Sequence, residues 1–303
     1  MSTVREVLKW ATTKLNTAQC TSPETDAQLL LAFALKVDRK NLPADQELTP
    51  EQSAKFTELI EKRAQRIPLQ HLTGQAFFRY LELEVGPGVF IPRPETELLV
   101  EAGLVELNKK SGAKLAVDLC AGSGAIALSL ALESPNTTVH AVELSTQAFV
   151  WLEKNVAAHS EQLARLNSTV ITYNEDATNL NVLSALNGTV DVVLSNPPYI
   201  PDEMIPREPE VRDHDPKLAL FGGPDGLDVA RKVSIVAANL LKPNGFFGME
   251  HADVQSESAV DLLSNTGGKN LEIWSQVIDH VDYNQLPRFV TAIRTSAEIA
   301  GLQ

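Results

Sequence analysis

Apolar residues recur at helical spacing through the first part of the chain: Val4, Val7, Leu8 and Ala11, then Ala27, Leu30, Leu31 and Ala34, then Phe56, Leu59 and Ile60. The breaks carry helix-start chemistry, with a hydroxyl ahead of a proline in Ser22-Pro23-Glu24 and Thr49-Pro50-Glu51-Gln52. A small all-helical bundle over 1–72 is the expectation. The pattern then shifts to short alternating runs, 77–85 and 89–91, around Gly86-Pro87-Gly88. This predicts a β-hairpin linker over 73–92.

Beyond the linker a strand, turn and helix cycle repeats. Leu115–Cys120, Thr138–Leu144, Val170–Asp176 and Val190–Asn196 are β-rich runs with polar ends. Helical patterns follow at Ala125–Glu133 and Thr146–His159, and a shorter one lies near 180–186. Such alternation predicts an α/β domain over 93–303 with a parallel sheet that binds ligands at its carboxyl edge. Further runs at Phe246–Glu250, Leu271–Ile278 and Phe289–Arg294 bring the expected sheet to about seven strands.

Composition narrows the function classes. The 303 residues are 44% hydrophobic and 21% charged, as in a folded globular chain, and the net charge is -13. That charge repels phosphate backbones and anionic lipid, so stable nucleic-acid or membrane binding is not expected. The basic residues Lys62, Arg63 and Arg66 lie beside Glu58 and Glu61, the pattern of a solvated helix face. Cys20 and Cys120 have no disulfide or zinc spacing, and no run approaches 18 apolar residues. A metal-free, cytoplasmic monomer is expected.

The candidate chemistry sits at successive strand ends. Asp118, Cys120, Ala121, Gly122, Ser123 and Gly124 join the first parallel strand to its helix, where glycines admit a ligand close to free helix N–H groups. Any tight βα turn can need glycine, so this run alone decides little. Glu143, about 20 residues on, is placed to accept from ribose hydroxyls, and Asp176 with the small Ala177 suits an adenine amino group and ring. Together they predict an adenosine-bearing cofactor, S-adenosylmethionine or NAD.

The fourth strand separates the two. Ser195-Asn196-Pro197-Pro198-Tyr199 follows a buried run, and its two prolines make a rigid, extended turn. The Asn196 side-chain oxygen and the Pro197 carbonyl can each accept one N–H of a planar NH2 group. Tyr199 can lay its ring against that plane. Such a slot aligns a weak amide or amine nucleophile with an electrophilic methyl group.

With these residues the chain resembles the PrmC/HemK family of protein glutamine methyltransferases over nearly its whole length. The resemblance extends to Pro68-Leu69-Gln70-His71-Leu72-Thr73-Gly74 and to Phe90-Ile91-Pro92-Arg93-Pro94-Glu95-Thr96-Glu97. It implies a Rossmann-like class I methyltransferase sheet with an antiparallel last strand, and a helical bundle that helps bind the substrate. That substrate would be the glutamine of the Gly-Gly-Gln motif in class-1 peptide chain release factors. It further implies S-adenosylmethionine contacts at Cys120 to Gly124, Glu143, Ala177 and Asn196, and substrate contacts at Asn196, Pro197, Pro198 and Tyr199. Arg93 and Glu95 would border the site. The chain departs from the family in having Cys120 for the common glycine, Glu143 for the frequent aspartate, and no glycine shortly before Arg288. A nucleic-acid methyltransferase acting on an exocyclic base amine presents the same NH2 geometry and is the main rival. A catalytically silent S-adenosylmethionine-binding protein is another.

Overall fold

The computed structural model describes residues 2–267 and 271–298; Met1 and the last five positions of the expected 93–303 domain lie outside the described residues. In chain order come α1 (Val4–Thr17), α2 (Pro23–Leu35), α3 (Pro50–Ala64), α4 (Leu69–Thr73), β1 (Gln75–Phe78), β2 (Leu81–Glu84), α5 (Thr96–Asn108), β3 (Lys114–Leu119), α6 (Ala125–Glu133), β4 (Thr137–Val142), α7 (Thr146–Ala158), α8 (Ser160–Arg165) and β5 (Thr169–Tyr173). They are followed by β6 (Val190–Ser195), α9 (Pro209–His214), α10 (Lys217–Leu220), α11 (Asp228–Leu240), β7 (Leu241–Glu250), α12 (Ser256–Ser264), β8 (Trp274–Val281) and β9 (Pro287–Arg294). The chain forms two compact units. One holds the residues up to Gln75 together with Val85–Pro87 and Ile205–Asp215; the other holds Ala76–Glu84, Gly88–Met204 and the residues from Pro216 onward. The first unit therefore recruits a segment, 205–215, from the middle of the stretch expected to be wholly α/β.

In the helical unit the periodic residues form the core: Val4, Ala11, Leu15, Ala27, Leu30, Leu31, Phe56 and Ile60 are each at most 1% exposed. Thr49 and Gln52 close a reciprocal capping box at α3, and Thr3 with Glu6 does so at α1. Ser22 makes no side-chain cap, so only its proline start is realised. The basic stretch of α3 is not the solvated face its spacing suggests. Lys62 pairs with Glu58 at the surface, but Arg63 is buried, with Nε on Asp26 and Nη2 on Glu210, both at 2.8 Å. Arg66 also donates to Glu210, from Nε at 2.7 Å. The carboxylate that draws these arginines inward is more than 140 residues away in sequence, beyond the reach of a local pattern.

The second unit is built on a seven-stranded sheet of order β5-β4-β3-β6-β7-β9-β8. Pairing is parallel from β5 to β7, and β9 runs antiparallel between β7 and β8, so the last strand has the expected direction. Alternation sorts side chains to the two faces. Val193, Phe247 and Met249 pack with α11, while Leu194 and Gly248 meet α5 at Gly103 and Leu99. Several strand bounds shift from expectation. β7 begins at Leu241 because Lys242-Pro243-Asn244-Gly245 bulges between two register positions opposite Val190 and Val192. β8 starts at Trp274, whose ring stacks on Phe247 at 5.1 Å. The short helical pattern near 180–186 forms only a single 3-10 turn at Ser184–Leu186. The β1–β2 hairpin turns at Arg79-Tyr80, and 89–91 adds no strand. No described helix is long and apolar enough to cross a membrane.

The Arg63 cluster gives the helical unit a testable acid sensitivity. Burial raises the Glu210 carboxyl, but the hydrogen bonds from Arg66 and Arg63 outweigh it and hold the group at about 2. A carboxyl depressed below its unfolded value contributes stability that is present above pH ~4.3 and lost as pH falls toward 2. Glu210→Gln should therefore lower the thermal midpoint at neutral pH and flatten its fall below pH ~4.3. Arg63→Ala, which strands the buried Asp26 and leaves Glu210 to Arg66 alone, should cost about 3 kcal/mol in urea unfolding.

Candidate active site

Register across the parallel strands sets the site. Val142, Leu119, Ser195 and Met249 are Cα partners in one line across β4, β3, β6 and β7. The next residue on each strand is Glu143, Cys120, Asn196 and Glu250. Three of these four were expected at the site; Glu250 was not. Neighbouring strands lie roughly 4.8 Å apart, so the four positions form one row along the carboxyl edge.

The cofactor half begins at β3. Cys120 takes φ 68 and Gly124 φ 87, both in the left-handed region that favours glycine. At Cys120 a side chain in that conformation costs roughly 1 kcal/mol, which is the physical content of the family's usual glycine there. At Gly122 a Cβ would meet nothing within 4 Å, so the turn faces open space. A Cβ on Gly124 would lie 2.7 Å from a Leu152 methyl, so with its left-handed φ the position favours glycine where α6 packs on α7. Glu143 reaches back to the turn: Gly122 N–H donates to its Oε2 at 2.8 Å and Ser145 N–H to its Oε1 at 2.7 Å. Asp118 is fully buried, accepts from Ala127 N–H in the first turn of α6 at 3.0 Å, and has no partner for Oδ1 among the described residues.

Both carboxyls are held in an apolar, negative setting. Burial lifts Asp118 to about 7 against the Ala127 N–H bond, with Glu143 adding to the rise. Burial also lifts Glu143, against the N–H bonds of Ser145, Gly122 and Leu144. Asp176 lies three residues past β5, is exposed, and accepts on Oδ1 from the Thr178 N–H and hydroxyl at 2.8 and 2.7 Å. Its charge still contributes to the raised Cys120 thiol, after burial and Glu143. Ala177 beside it is buried. An open cradle at Gly122, two paired acceptor oxygens on Glu143 and an orphaned Asp118 oxygen fit a ligand that carries hydroxyls and positive charge.

The second half holds the amide-like slot. Asn196 Nδ2 donates to Thr96 Oγ1 at 3.2 Å, and the Thr96 hydroxyl donates to Glu250 Oε2 at 2.6 Å. The Tyr199 hydroxyl donates to Glu250 Oε1 at 3.2 Å. Among the described residues none donates to Asn196 Oδ1 or to the Pro197 carbonyl. Both acceptors proposed from the sequence therefore stay free. Burial and the Glu250 charge push the Tyr199 phenol far above its usual value, while Arg288 and Arg93 oppose the rise. Arg93 sits over the Phe90 ring at 4.7 Å, and Glu95 adds to the raised Glu250 carboxyl. Arg93 thus lies within the field of Tyr199 and Glu95 within that of Glu250.

Tight backing fixes the motif's backbone. Gln255 Nε2 donates to the Tyr199 and Asp225 carbonyls at 2.9 and 3.1 Å. A Cβ on Gly222 would fall 2.4 Å from the Pro198 carbonyl oxygen, and one on Gly226 2.2 Å from that of Tyr199. The Gly222-Gly223-Pro224-Asp225-Gly226 run was a visible signal that the sequence reading did not use. Thr96, Glu250, Gln255 and this glycine run are the residues it missed. Thr96 lay inside the entry segment singled out for other members. In the last hairpin, Gln285 takes the left-handed φ of 63, and Asp282 accepts from Asn284 N–H at 2.7 Å and from Arg288 Nη2 at 3.0 Å. The turn before Arg288 closes without glycine.

The PrmC N-terminal domain model matches residues 6–74, and the methyltransferase small domain model matches residues 87–206. The release factor glutamine methyltransferase of Bifidobacterium longum is 44% identical over 271 residues, covering 87% of this chain and 92% of the relative. That of Streptomyces coelicolor is 44% identical over 284 residues, covering 93% and 95%. That of Mycolicibacterium smegmatis is 42% identical over 294 residues, covering 97% and 99%. Identity at this level over nearly the whole of both chains places this one in a single family: it belongs to the release factor glutamine methyltransferases.

Proposed function

We propose that the chain transfers the methyl group of S-adenosylmethionine to the side-chain amide nitrogen of the glutamine in the Gly-Gly-Gln motif of class-1 peptide chain release factors. The carrying observation is the polarity of Asn196: its NH2 is given to Thr96, so its side-chain oxygen is left to accept from an incoming NH2 group beside the Pro197 carbonyl. With one hydrogen of that group on each acceptor the amide plane would be fixed, and with the Tyr199 ring on one face the nitrogen lone pair, normal to the plane, would be left the other face for the cofactor. The cofactor, when bound, supplies an electrophilic methyl on a sulfonium. Tyr199, anchored through its hydroxyl on Glu250, presents a π face to positive charge growing on the nitrogen. Its raised phenol pKa keeps it a neutral donor. The methylated amide cation is acidic enough to lose its proton to solvent, so no strong base is needed.

The charge of the cofactor half favours S-adenosylmethionine over NAD. Among the described residues Asp118, Glu143 and Asp176 form no ion pair, and two of them are buried. A net-positive cofactor relieves that setting; a pyrophosphate worsens it. Glu143 would hold the ribose hydroxyls, with Gly122 and Ser145 orienting its oxygens. Asp176, through the oxygen not taken by Thr178, with Ala177, would receive the adenine. The helical unit is assigned to release-factor binding. The net charge of -13 supports a protein acceptor over a nucleic acid. A nucleobase amine would otherwise fit the same slot.

Incubating the protein with methyl-labelled S-adenosylmethionine, a release factor, and total RNA and DNA tests the acceptor. Label should appear on the Gly-Gly-Gln glutamine and vanish when that glutamine is replaced by alanine; label in nucleic acid would refute the assignment. Asn196→Ala should lower kcat by more than about 100-fold, the effect of removing one transition-state hydrogen-bonding group, while cofactor affinity in calorimetry stays near wild type. Glu143→Ala should do the converse, raising the S-adenosylmethionine Kd roughly 10- to 100-fold through loss of charge-assisted hydrogen bonds.

A further inference from the structure

The Thr96–Glu250 pair is buried and joined to both Asn196 and Tyr199, and the transfer chemistry makes no use of its ionisation. Thr96 is 4% exposed and Glu250 1%. A buried carboxyl with no cation in direct contact is expensive, and its retention asks for a role. Hydrogen-bond direction supplies one. An ionised Glu250 can only accept, so both the Thr96 and Tyr199 hydroxyls must point their hydrogens at it. Thr96 then has only lone pairs to offer Asn196, which must answer with its NH2. A protonated Glu250 can instead donate to Thr96. That frees the Thr96 hydrogen to turn toward Asn196, and the amide can flip to present NH2 to the substrate. Two NH2 groups would then face each other in the slot.

We propose that Glu250, acting through Thr96, is the positioning residue that sets the donor–acceptor polarity of the Asn196 amide, so that the slot accepts an NH2 group only when Glu250 is ionised. This deepens the proposed function and rests on it for the identity of the acceptor. The charged and titratable groups around Glu250 are Arg288 on β9, Glu95 ahead of α5 and Tyr199 after β6, with Arg93 acting on Tyr199. The next residue, His251, is itself bonded through Nε2 to Asp279 on β8 at 2.9 Å. Burial raises the Glu250 carboxyl most, to about 7, against the Thr96 bond, the Arg288 charge and the Tyr199 bond, with Glu95 adding to the rise. The switch therefore operates near neutrality: the competent form gains as pH rises through about 7.

The test compares wild type with Glu250→Gln, Thr96→Val and Thr96→Ser in the full-length protein. The side-chain amide of Asn196, observed by NMR in asparagine-labelled protein, should titrate with a midpoint near 7 in wild type and Thr96→Ser. It should be pH-independent in Glu250→Gln and Thr96→Val. In steady-state methylation of the release factor, Thr96→Val and Glu250→Gln should lower kcat on the order of 10- to 100-fold, with cofactor Kd unchanged, and Glu250→Gln should lose the acid limb of the wild-type kcat profile. Thr96→Ser should restore both rate and profile, which a purely packing role for the threonine methyl would not do. An Asn196 amide in wild type that ignores pH between 5 and 9, or that titrates equally in Glu250→Gln, overturns the inference. Because the NMR titration needs no acceptor, it decides the matter even if wild type fails to methylate the release factor, a result that would count against the proposed function instead.

Discussion

Parallel pairing is the constraint from which the site follows. Strands running the same way end on the same edge, and the register that sets Val142, Leu119, Ser195 and Met249 side by side puts Glu143, Cys120, Asn196 and Glu250 in the next file. A one-residue slip of any strand would turn its terminal side chain to the opposite face. Burial guards against that, since both faces of β6 are covered and all six of its residues are buried. Core packing on α11 and α5 thus does chemical work at a distance: it fixes which atoms meet at the edge.

The same edge also concentrates carboxylates where water is scarce. Asp118, Glu143 and Glu250 are each at most 8% exposed, and burial raises all three. Each answers the cost of its charge differently. Asp118 and Glu143 take backbone N–H bonds on one side and leave capacity toward the cofactor turn, whereas Glu250 collects two hydroxyls and the more distant field of Arg288. Among the described residues none of the three carboxyls forms an ion pair, so their charge favours a positive partner at this edge. A cation on one side and a neutral amide on the other complete it without placing a new anion among the acids.

Rigidity comes from close backbone contact more than from the prolines alone. The two prolines fix φ at 197 and 198, but the carbonyls of Pro198 and Tyr199 are held in place by glycines at 222 and 226 and by Gln255. The acceptor carbonyl of Pro197 is thereby presented by a strand end, a proline pair and a packed glycine loop acting together. Gly222 and Gly226 matter here for lacking a side chain, because any Cβ would collide with a carbonyl oxygen.

Much of this was legible along the chain. Periodicities of 3.6 and 2 marked the helical bundle and the strand–helix cycle, because each element buries one face and must repeat at its own pitch. The glycine turn, Glu143 and the Asn196–Tyr199 run announced themselves because strand ends are local features, whereas Asp176 falls three residues past its strand. What needed the tertiary structure were partnerships across long gaps: Thr96 and Glu250 lie 100 and 51 residues from the slot residues they bind, and Glu210 lies 147 from Arg63. The lengthened β7 was hidden by its Lys-Pro-Asn-Gly bulge, and the solvated look of α3 was reversed by a distant carboxylate. Sequence determined which residue types stand at each strand end, since that is set by neighbours a few positions away; the direction in which their hydrogen bonds point was decided only by the fold, because it depends on which remote group arrives to accept them.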